Sequence, residues 1–532
     1  MSPFGGRAVV EPVARGRYRW ISFDDLNRRS DQVAHGVINA GVPVGARIAL
    51  LVPPGIDFVV WVFGLLKAGV VMVLIDPGIG RRNLVQWLAE AAPDGLAGVF
   101  RAQAARWLLQ RKFPNCRHNF MVGRAWSPWA QSTHSWFSAQ LAAWKSPVES
   151  PEEPAAIIFT TGSTGPPKGV LYRHRHFLEQ CTQIRDYFNI KPGGVDVSGF
   201  PLFALFNATM GVTTVFPLMD ATRPASIDPL NFINAVKEFG ADQSFGSPAL
   251  WNTVSRYGEK HGIKLPTLKR ILTAGAPVPP HVLQRIRKMI ADDGEVFTPY
   301  GATEALPIAC IESRTILTET RHQSSKGKGT CVGRTWPNVE WRVIEIDDGP
   351  IPTIERAKIL PAGEIGEVIV RGPVVTDQYV TRTEANALHK IKDGDGFWHR
   401  MGDVGYLDEE QRFWFCGRKS HRVMTASGTL FTIPCEAILN GHPAIYRSAL
   451  VGIGAPGQQV PVMVVEPWPE HWPATRNRRE RLIRELRELA QSRTLTSGIH
   501  HIFLKRRLPV DIRHNAKIFR ERLVPWVARQ MR

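Results

Sequence analysis

A chain of 532 residues is too long for one ordinary hydrophobic core and predicts two or more domains, the larger able to enclose an active site. With 44% hydrophobic and 21% charged residues, 46 Gly and 40 Pro, it is too apolar to be a disordered chain, and no segment reads as low-complexity. Lys and Arg number 66 against 48 Asp and Glu; the resulting +18 could draw the protein toward nucleic acid, anionic lipid or acidic partners, but the basic residues are spread out and a nucleic-acid partner is not expected.

Met1 to Arg19 is basic and Gly-rich without the apolar run of a secretory signal. Phe58 to Ile75 is apolar enough to cross a bilayer were it one helix. Its pattern instead predicts a helix after Pro53-Pro54-Gly55 that ends at Lys67-Ala68-Gly69. A buried parallel strand through Val70, Val71, Val73 and Ile75 then stops at Asp76-Pro77-Gly78. From Ile21 to about Phe297, helical periods alternate with β-branched runs at 48–52, 155–160, 211–216 and 270–273, the signature of parallel α/β architecture. Residues 332–417 read as a β-rich lobe, with strands expected over 338–345, 363–371 and 403–407.

A boundary near Gly417 to His421 divides the chain into an N-terminal domain of stacked αβ subdomains plus lobe, 1–417, and a small mobile α+β domain, 418–532. The second contains strands over 449–453 and 460–466. Its basic run, Arg476 to Arg487, reads as a solvated helix face, with Leu482, Ile483, Leu486, Leu489 and Ala490 on the buried stripe. The six cysteines are widely spaced without a C-x-x-C pair, which points to a reducing cytoplasm rather than a zinc or disulfide framework.

The strand-like 155–159 runs directly into Thr160-Thr161-Gly162-Ser163-Thr164-Gly165-Pro166-Pro167-Lys168-Gly169-Val170. Small residues let backbone N–H groups approach an anion, hydroxyls add donors and Lys168 adds a charge, so this loop suits phosphates. It is not a Walker A loop, because Lys168 follows two prolines and precedes Gly169. The string resembles the signature loop of the adenylate-forming superfamily of acyl-CoA synthetases, luciferases and peptide-synthetase adenylation domains. Ala274-Gly275-Ala276-Pro277, expected on a strand, and Tyr300-Gly301-Ala302-Thr303-Glu304 match the next two motifs of that superfamily.

The resemblance implies ATP and Mg²⁺ as cofactors. Gly275, Ala276, Pro277 and Tyr300 would border the adenine, Thr303 would touch the α-phosphate, and Glu304 would hold the metal with phosphates and water. It further implies a ribose contact from Asp403 in Gly402-Asp403-Val404-Gly405-Tyr406, a ribose or phosphate contact from Arg418, and catalysis by Lys517 in the segment 509–518. Three positions depart from the pattern: Ser420 at the hinge, Ala516 before the lysine, and Ala204 where many acyl-CoA synthetases have His.

Tyr172-Arg173-His174, Ala305-Leu306-Pro307 and the sequence around Lys517 are similar to the β-lactone synthetases of bacterial long-chain olefin biosynthesis. These close a 2-alkyl-3-hydroxy fatty acid through its adenylate. That resemblance implies association with an olefin-pathway reductase and a β-lactone decarboxylase. Phe203, Leu205, Phe206, Phe245 and Leu306 are candidates to line the aliphatic channel, and His174 and His176 are candidate bases by proximity to the loop. An acyl-CoA ligase would share every adenylation residue, and Ser427-Gly428 could serve its thiol tunnel. A non-catalytic basic binding protein is the remaining reading.

Overall fold

A computed structural model describes residues 6–75, 81–160, 166–511 and 517–531. Two seven-stranded sheets form the α/β part. The first runs Gln131–Ser132, His118–Met121, Gly95–Gly98, Arg47–Leu51, Val71–Leu74, Pro154–Phe159, Gly169–Arg173, and is parallel up to its last, antiparallel pair. Strands covered on both faces must be apolar throughout, and all four residues of Val71–Leu74 are buried. The long apolar run divides as its pattern predicts, into helix Ile56–Lys67, a turn with Gly69 at φ +67°, and that strand. Among the described residues no helix is long and apolar enough to cross a membrane. Gly64 lets helix Phe23–Asn39 close on helix Ile56–Lys67, since a Cβ there would meet the Val33 side chain at 2.5 Å.

The second sheet runs Glu295–Phe297, Arg270–Thr273, Gln243–Gly246, Val195–Val197, Thr213–Val215, Arg7–Ala14, Arg17–Ser22, parallel except for the final hairpin. Strand Arg270–Thr273 ends before Ala274, so the Gly-Ala segment expected on a strand is the loop that leaves it, with Gly275 at φ +95°. The β-rich lobe is an antiparallel sheet ordered Thr330–Cys331, Phe413–Arg418, Gly396–Leu407, Gly366–Arg371, Glu340–Ile344, with Lys390–Asp393 also pairing to Gly396–Leu407.

After Arg418 the chain forms the hairpin Val423–Thr425 with Gly428–Leu430 and the sheet Ile445–Ile453, Val460–Pro467, His501–Leu504, packed against helices Thr432–Asn440, Arg476–Gln491 and Arg520–Gln530. Helix Arg476–Gln491 buries Leu482, Leu486 and Ala490, while its arginines lie in water and pair along the helix, as Arg476 does with Glu480 at 2.8 Å. The whole is a large α/β N-terminal domain with a β-rich lobe and a smaller α+β C-terminal domain.

Candidate active site

Lys168 immediately precedes the return strand Gly169–Arg173 of the first sheet, and the neck of its loop is fastened twice. Thr160 N–H donates to the Lys168 carbonyl at 3.0 Å, and Lys168 N–H donates to Thr160 Oγ1 at 3.1 Å. Thr161, Gly162, Ser163, Thr164 and Gly165 lie outside the described residues. Lys168 Nζ is 3.0 Å from Nε2 of His389 and 4.8 Å from the centre of the Tyr379 ring. Tyr379 in turn donates its hydroxyl to Glu304 Oε1 at 2.7 Å.

Thr303 and Glu304 occupy the tight turn between strands Tyr300–Ala302 and Ala305–Cys310. Gly301 permits that turn, because a Cβ there would meet the Ala305 carbonyl at 2.7 Å. Tyr172 Oη donates to the Thr303 carbonyl at 2.6 Å, and Thr376 Oγ1 donates to the Glu304 carbonyl at 2.9 Å. The backbone of the Thr303-Glu304 turn is thereby pinned from two other elements.

Tyr300 leads to the third group. Its hydroxyl donates to Asp403 Oδ2 at 2.6 Å, and Arg418 Nη1 donates to Asp403 Oδ1 at 2.6 Å. Asp403 and Arg418 are directly paired across neighbouring strands of the lobe. A carboxylate accepts about four hydrogen bonds, so these two leave Asp403 able to accept about two more. The Nε of Arg418 is buried without a partner, a donor facing no acceptor within the described residues.

The electrostatics are those of an anion site. Burial pulls the Lys168 pKa down, Glu304 opposes that, and Arg418 lowers it further. Burial takes Lys390 down to about 7, against Glu304 and Asp377 and with Lys168 adding to the depression. Cations gathered closely enough to disfavour one another are relieved by a polyanion among them.

A cavity of about 1870 Å³ opens beside this cluster. Thr303 and Leu306, on the turn and strand that carry Glu304, belong to its wall, with Tyr172, Phe177, Leu205 and Phe206. Of the five residues expected to line an aliphatic channel, Leu205, Phe206 and Leu306 border this cavity. Phe203 and Phe245 are not among the described wall residues: their rings stack on each other at 4.6 Å and pack in the core behind it. Helix Phe203–Thr209 has two sides, and short range sequence spacing alone does not say which side faces the hole.

The chain matches the AMP-binding enzyme family over residues 3–380. It is 45% identical to the olefin beta-lactone synthetase of Xanthomonas campestris pv. campestris, over 96% of this chain and 91% of the relative. Identity to the olefin beta-lactone synthetase of Stenotrophomonas maltophilia is 43%, over 96% and 92%. The chain belongs to the AMP-binding enzyme family. Its fold is shared with ATP-bound MatB from Rhodopseudomonas palustris at a TM-score of 0.79 and 18% identity, covering 100% of this chain and 98% of that one.

In this AMP-binding enzyme the two histidines suggested by proximity to the loop lie off the described cavity wall. His176 is fully buried, its Nδ1 accepting from Arg173 N–H at 2.9 Å and its Nε2 3.3 Å from Asp377. His174 opens the same helix, with burial depressing its pKa. The imidazole that meets the loop lysine is His389, which the sequence reading missed.

His389 Nδ1 lies 3.3 Å from the Arg400 carbonyl, and His399 Nδ1 lies 3.2 Å from the His389 carbonyl. Next to it Lys390 donates to the Thr376 carbonyl, and Thr376 holds Glu304. Lys390 and His399 are direct partners on adjacent antiparallel strands, and the strand of His399 continues to Asp403. Two histidines and a lysine just upstream of the Asp403 motif were the available signal.

Lys517 is fixed within the C-terminal domain. Its N–H donates to Asp511 Oδ1 at 2.9 Å, Asp511 N–H donates to its carbonyl at 3.0 Å, and Val510 bridges Ile518. Residues 512–516, including Ala516, lie outside the described residues. Ser420 falls in the single turn Lys419–His421, and Ala204 is fully buried.

Proposed function

We propose that this AMP-binding enzyme is an ATP-dependent β-lactone synthetase acting on a 2-alkyl-3-hydroxy long-chain fatty acid. The observation that carries the reading is one continuous wall: Thr303 and Leu306 flank Glu304, and both border an apolar cavity of about 1870 Å³. Ordinary small-molecule sites span about 300–1,000 Å³, so this one has room for a ligand with two long aliphatic arms. Identities of 45% and 43% to two olefin beta-lactone synthetases support the same choice over a coenzyme A ligase.

The carboxylate of the acid attacks the α-phosphorus of ATP, forming the acyl-adenylate and releasing pyrophosphate. The substrate's own 3-hydroxyl then attacks the acyl carbon, AMP leaves, and the four-membered ring closes. Lys168 and Lys517 stabilise charge developing on the phosphates, while Asp403 and Arg418 hold the ribose. Tyr300 and the loop Gly275, Ala276, Pro277 border the adenine. Glu304 suits Mg²⁺, since phosphate and water oxygens complete the shell of an ion held by a single carboxylate, and its charge already opposes the depression of Lys168. Bound there, the ion would supply positive charge that offsets the charge of the phosphates.

The residues after Arg418, which itself closes the last strand of the lobe, act in this reading as the mobile domain that delivers Lys517. The boundary is already bridged by Lys419 Nζ donating to Glu367 Oε2 at 3.0 Å. A cytoplasmic setting and association with an olefin-pathway reductase and a β-lactone decarboxylase belong to the same proposal. Product analysis by NMR after incubation with ATP, Mg²⁺ and a 2-alkyl-3-hydroxy acid, with and without coenzyme A, tests it. A β-lactone and AMP without coenzyme A are expected; a thioester formed only with coenzyme A would move the protein to the ligases.

A further inference from the structure

The net charge of +18 is not spread evenly after all. Residues 95–148 hold seven Lys or Arg, from Arg101 to Lys145, and no Asp or Glu. This stretch includes helix Phe100–Leu108 and the loop after strand His118–Met121, and it leaves large apolar side chains in water. Leu108 is 73% and Trp126 75% exposed, with Phe100 and Trp107 also on the surface. Phe100 and Trp107 are seven residues apart and so share one stripe of the helix. Trp107 stacks on Trp129 at 4.8 Å, and Trp129 offers its carbonyl to Arg106 at 3.0 Å, which ties helix and loop into one surface.

The same helix borders the cavity. Arg101, Ala102, Ala105 and Arg106 belong to the wall, and Arg101 and Ala105 are solvent-exposed as well, so the cavity reaches the surface beside the aromatic patch.

Exposed Trp, Phe and Leu interleaved with Arg and Lys, with no acidic side chain among them, match an interface whose outer layer is anionic and whose interior is apolar. Indole rings settle at headgroup depth, basic side chains reach the phosphates, and each basic residue near an anionic leaflet contributes an attraction that salt screens. A folded protein partner of matching charge would supply the anions without requiring the cavity to open at the same place. We propose that helix Phe100–Leu108 and the Trp126–Trp129 loop dock on an anionic phospholipid bilayer, from which the long-chain substrate enters the cavity beside Arg101. The entry step rests on the reading of the cavity as an aliphatic site; the docking step does not.

The test is sedimentation of the full chain with sucrose-loaded vesicles of phosphatidylcholine alone or with phosphatidylglycerol added, at low and high salt, without substrate or ATP. Binding to the phosphatidylglycerol vesicles that weakens with salt is expected. The pair R111E/R124E should weaken it roughly 20-fold or more, at about fivefold per charge. The pair L108S/W126S should weaken it at low and high salt alike. None of these four residues borders the cavity, and both variants should keep wild-type pyrophosphate exchange with a short, water-dispersed acid, which shows that they fold. Vesicle binding no stronger with phosphatidylglycerol than without it, or unchanged in both variants, overturns the proposal. Self-association in the ultracentrifuge that L108S/W126S abolishes, with no vesicle binding, would assign the patch to a second copy of the chain instead. Because docking is read without catalysis, its failure is distinguishable from failure of the lactone reading.

Discussion

His389 offers a sharp test of how the loop lysine is held. Its Nε2 is 3.0 Å from Lys168 Nζ and its Nδ1 is 3.3 Å from the Arg400 carbonyl. Burial and the nearby Lys168 charge hold its pKa down to about 4, so the ring is neutral at pH 7. The tautomer consistent with both neighbours carries its proton on Nδ1 and accepts from the ammonium at Nε2. Hydrogen bonds to charged groups contribute about 1.5–3 kcal/mol, which corresponds to roughly 10- to 150-fold in rate or affinity. We expect His389→Leu to lower kcat/KM for ATP by that factor in ATP–pyrophosphate exchange.

The geometry also orders the polar replacements. His389→Gln places an amide oxygen near the Nε2 position and should recover most of the loss, whereas His389→Asn places it near Nδ1, out of reach of Lys168. Exchange by the wild type should show no inflection from this histidine between about pH 5 and pH 7. Wild-type exchange by the Leu variant, or equal losses in the Leu and Gln variants at unchanged thermal stability, would refute the positioning role.

Three further outcomes follow from the same geometry. Lys517→Ala should slow adenylate formation on the order of 10² to 10³ while leaving the thermal transition in place, as single-turnover measurements with labelled ATP would show. Lys390, drawn down to about 7 by burial, binds fewer protons folded than unfolded between about pH 7 and pH 10. Wild-type stability should therefore rise with pH across that window relative to Lys390→Met, by roughly 1 kcal/mol per unit in paired urea titrations; a fall would mean that its carboxylate neighbours hold its charge. Leu205→Trp narrows the cavity wall, and denying space to two methylenes costs about 1.6 kcal/mol. KM should rise roughly 15-fold for long-chain acids and little for short ones.

Much of the fold was legible because parallel strands buried on both faces must be apolar along their whole length. Strand Arg270–Thr273 matches its expected bounds, and the Phe58–Ile75 run breaks at Gly69 as its pattern required. Strand Gly396–Leu407 is longer than expected because charged and polar residues, His399, Arg400 and Asp403, are buried within it by partners from distant segments. Arg400, for example, is neutralised by Glu367 at 2.6 Å, a pairing that no local pattern encodes. The same reason explains the site. Motif residues Tyr300, Glu304, Asp403 and Arg418 could be picked out one at a time, but His389, Tyr379 and Thr376 gain their meaning only when the lobe folds against the loop and the Glu304 turn. The division of the phenylalanines into wall and core depended on the orientation of helix Phe203–Thr209, which three-dimensional packing alone decides.

The central claim is that the carboxylate is activated and the substrate's own hydroxyl closes the ring. It is tested most directly by following oxygen-18 from an acid labelled at both carboxylate oxygens. The account predicts one label in AMP and one in the lactone carbonyl, with an unlabelled ring oxygen, in the absence of coenzyme A. Unlabelled AMP with a lactone that retains both labels would mean that the hydroxyl, not the carboxylate, is adenylated, and would contradict it.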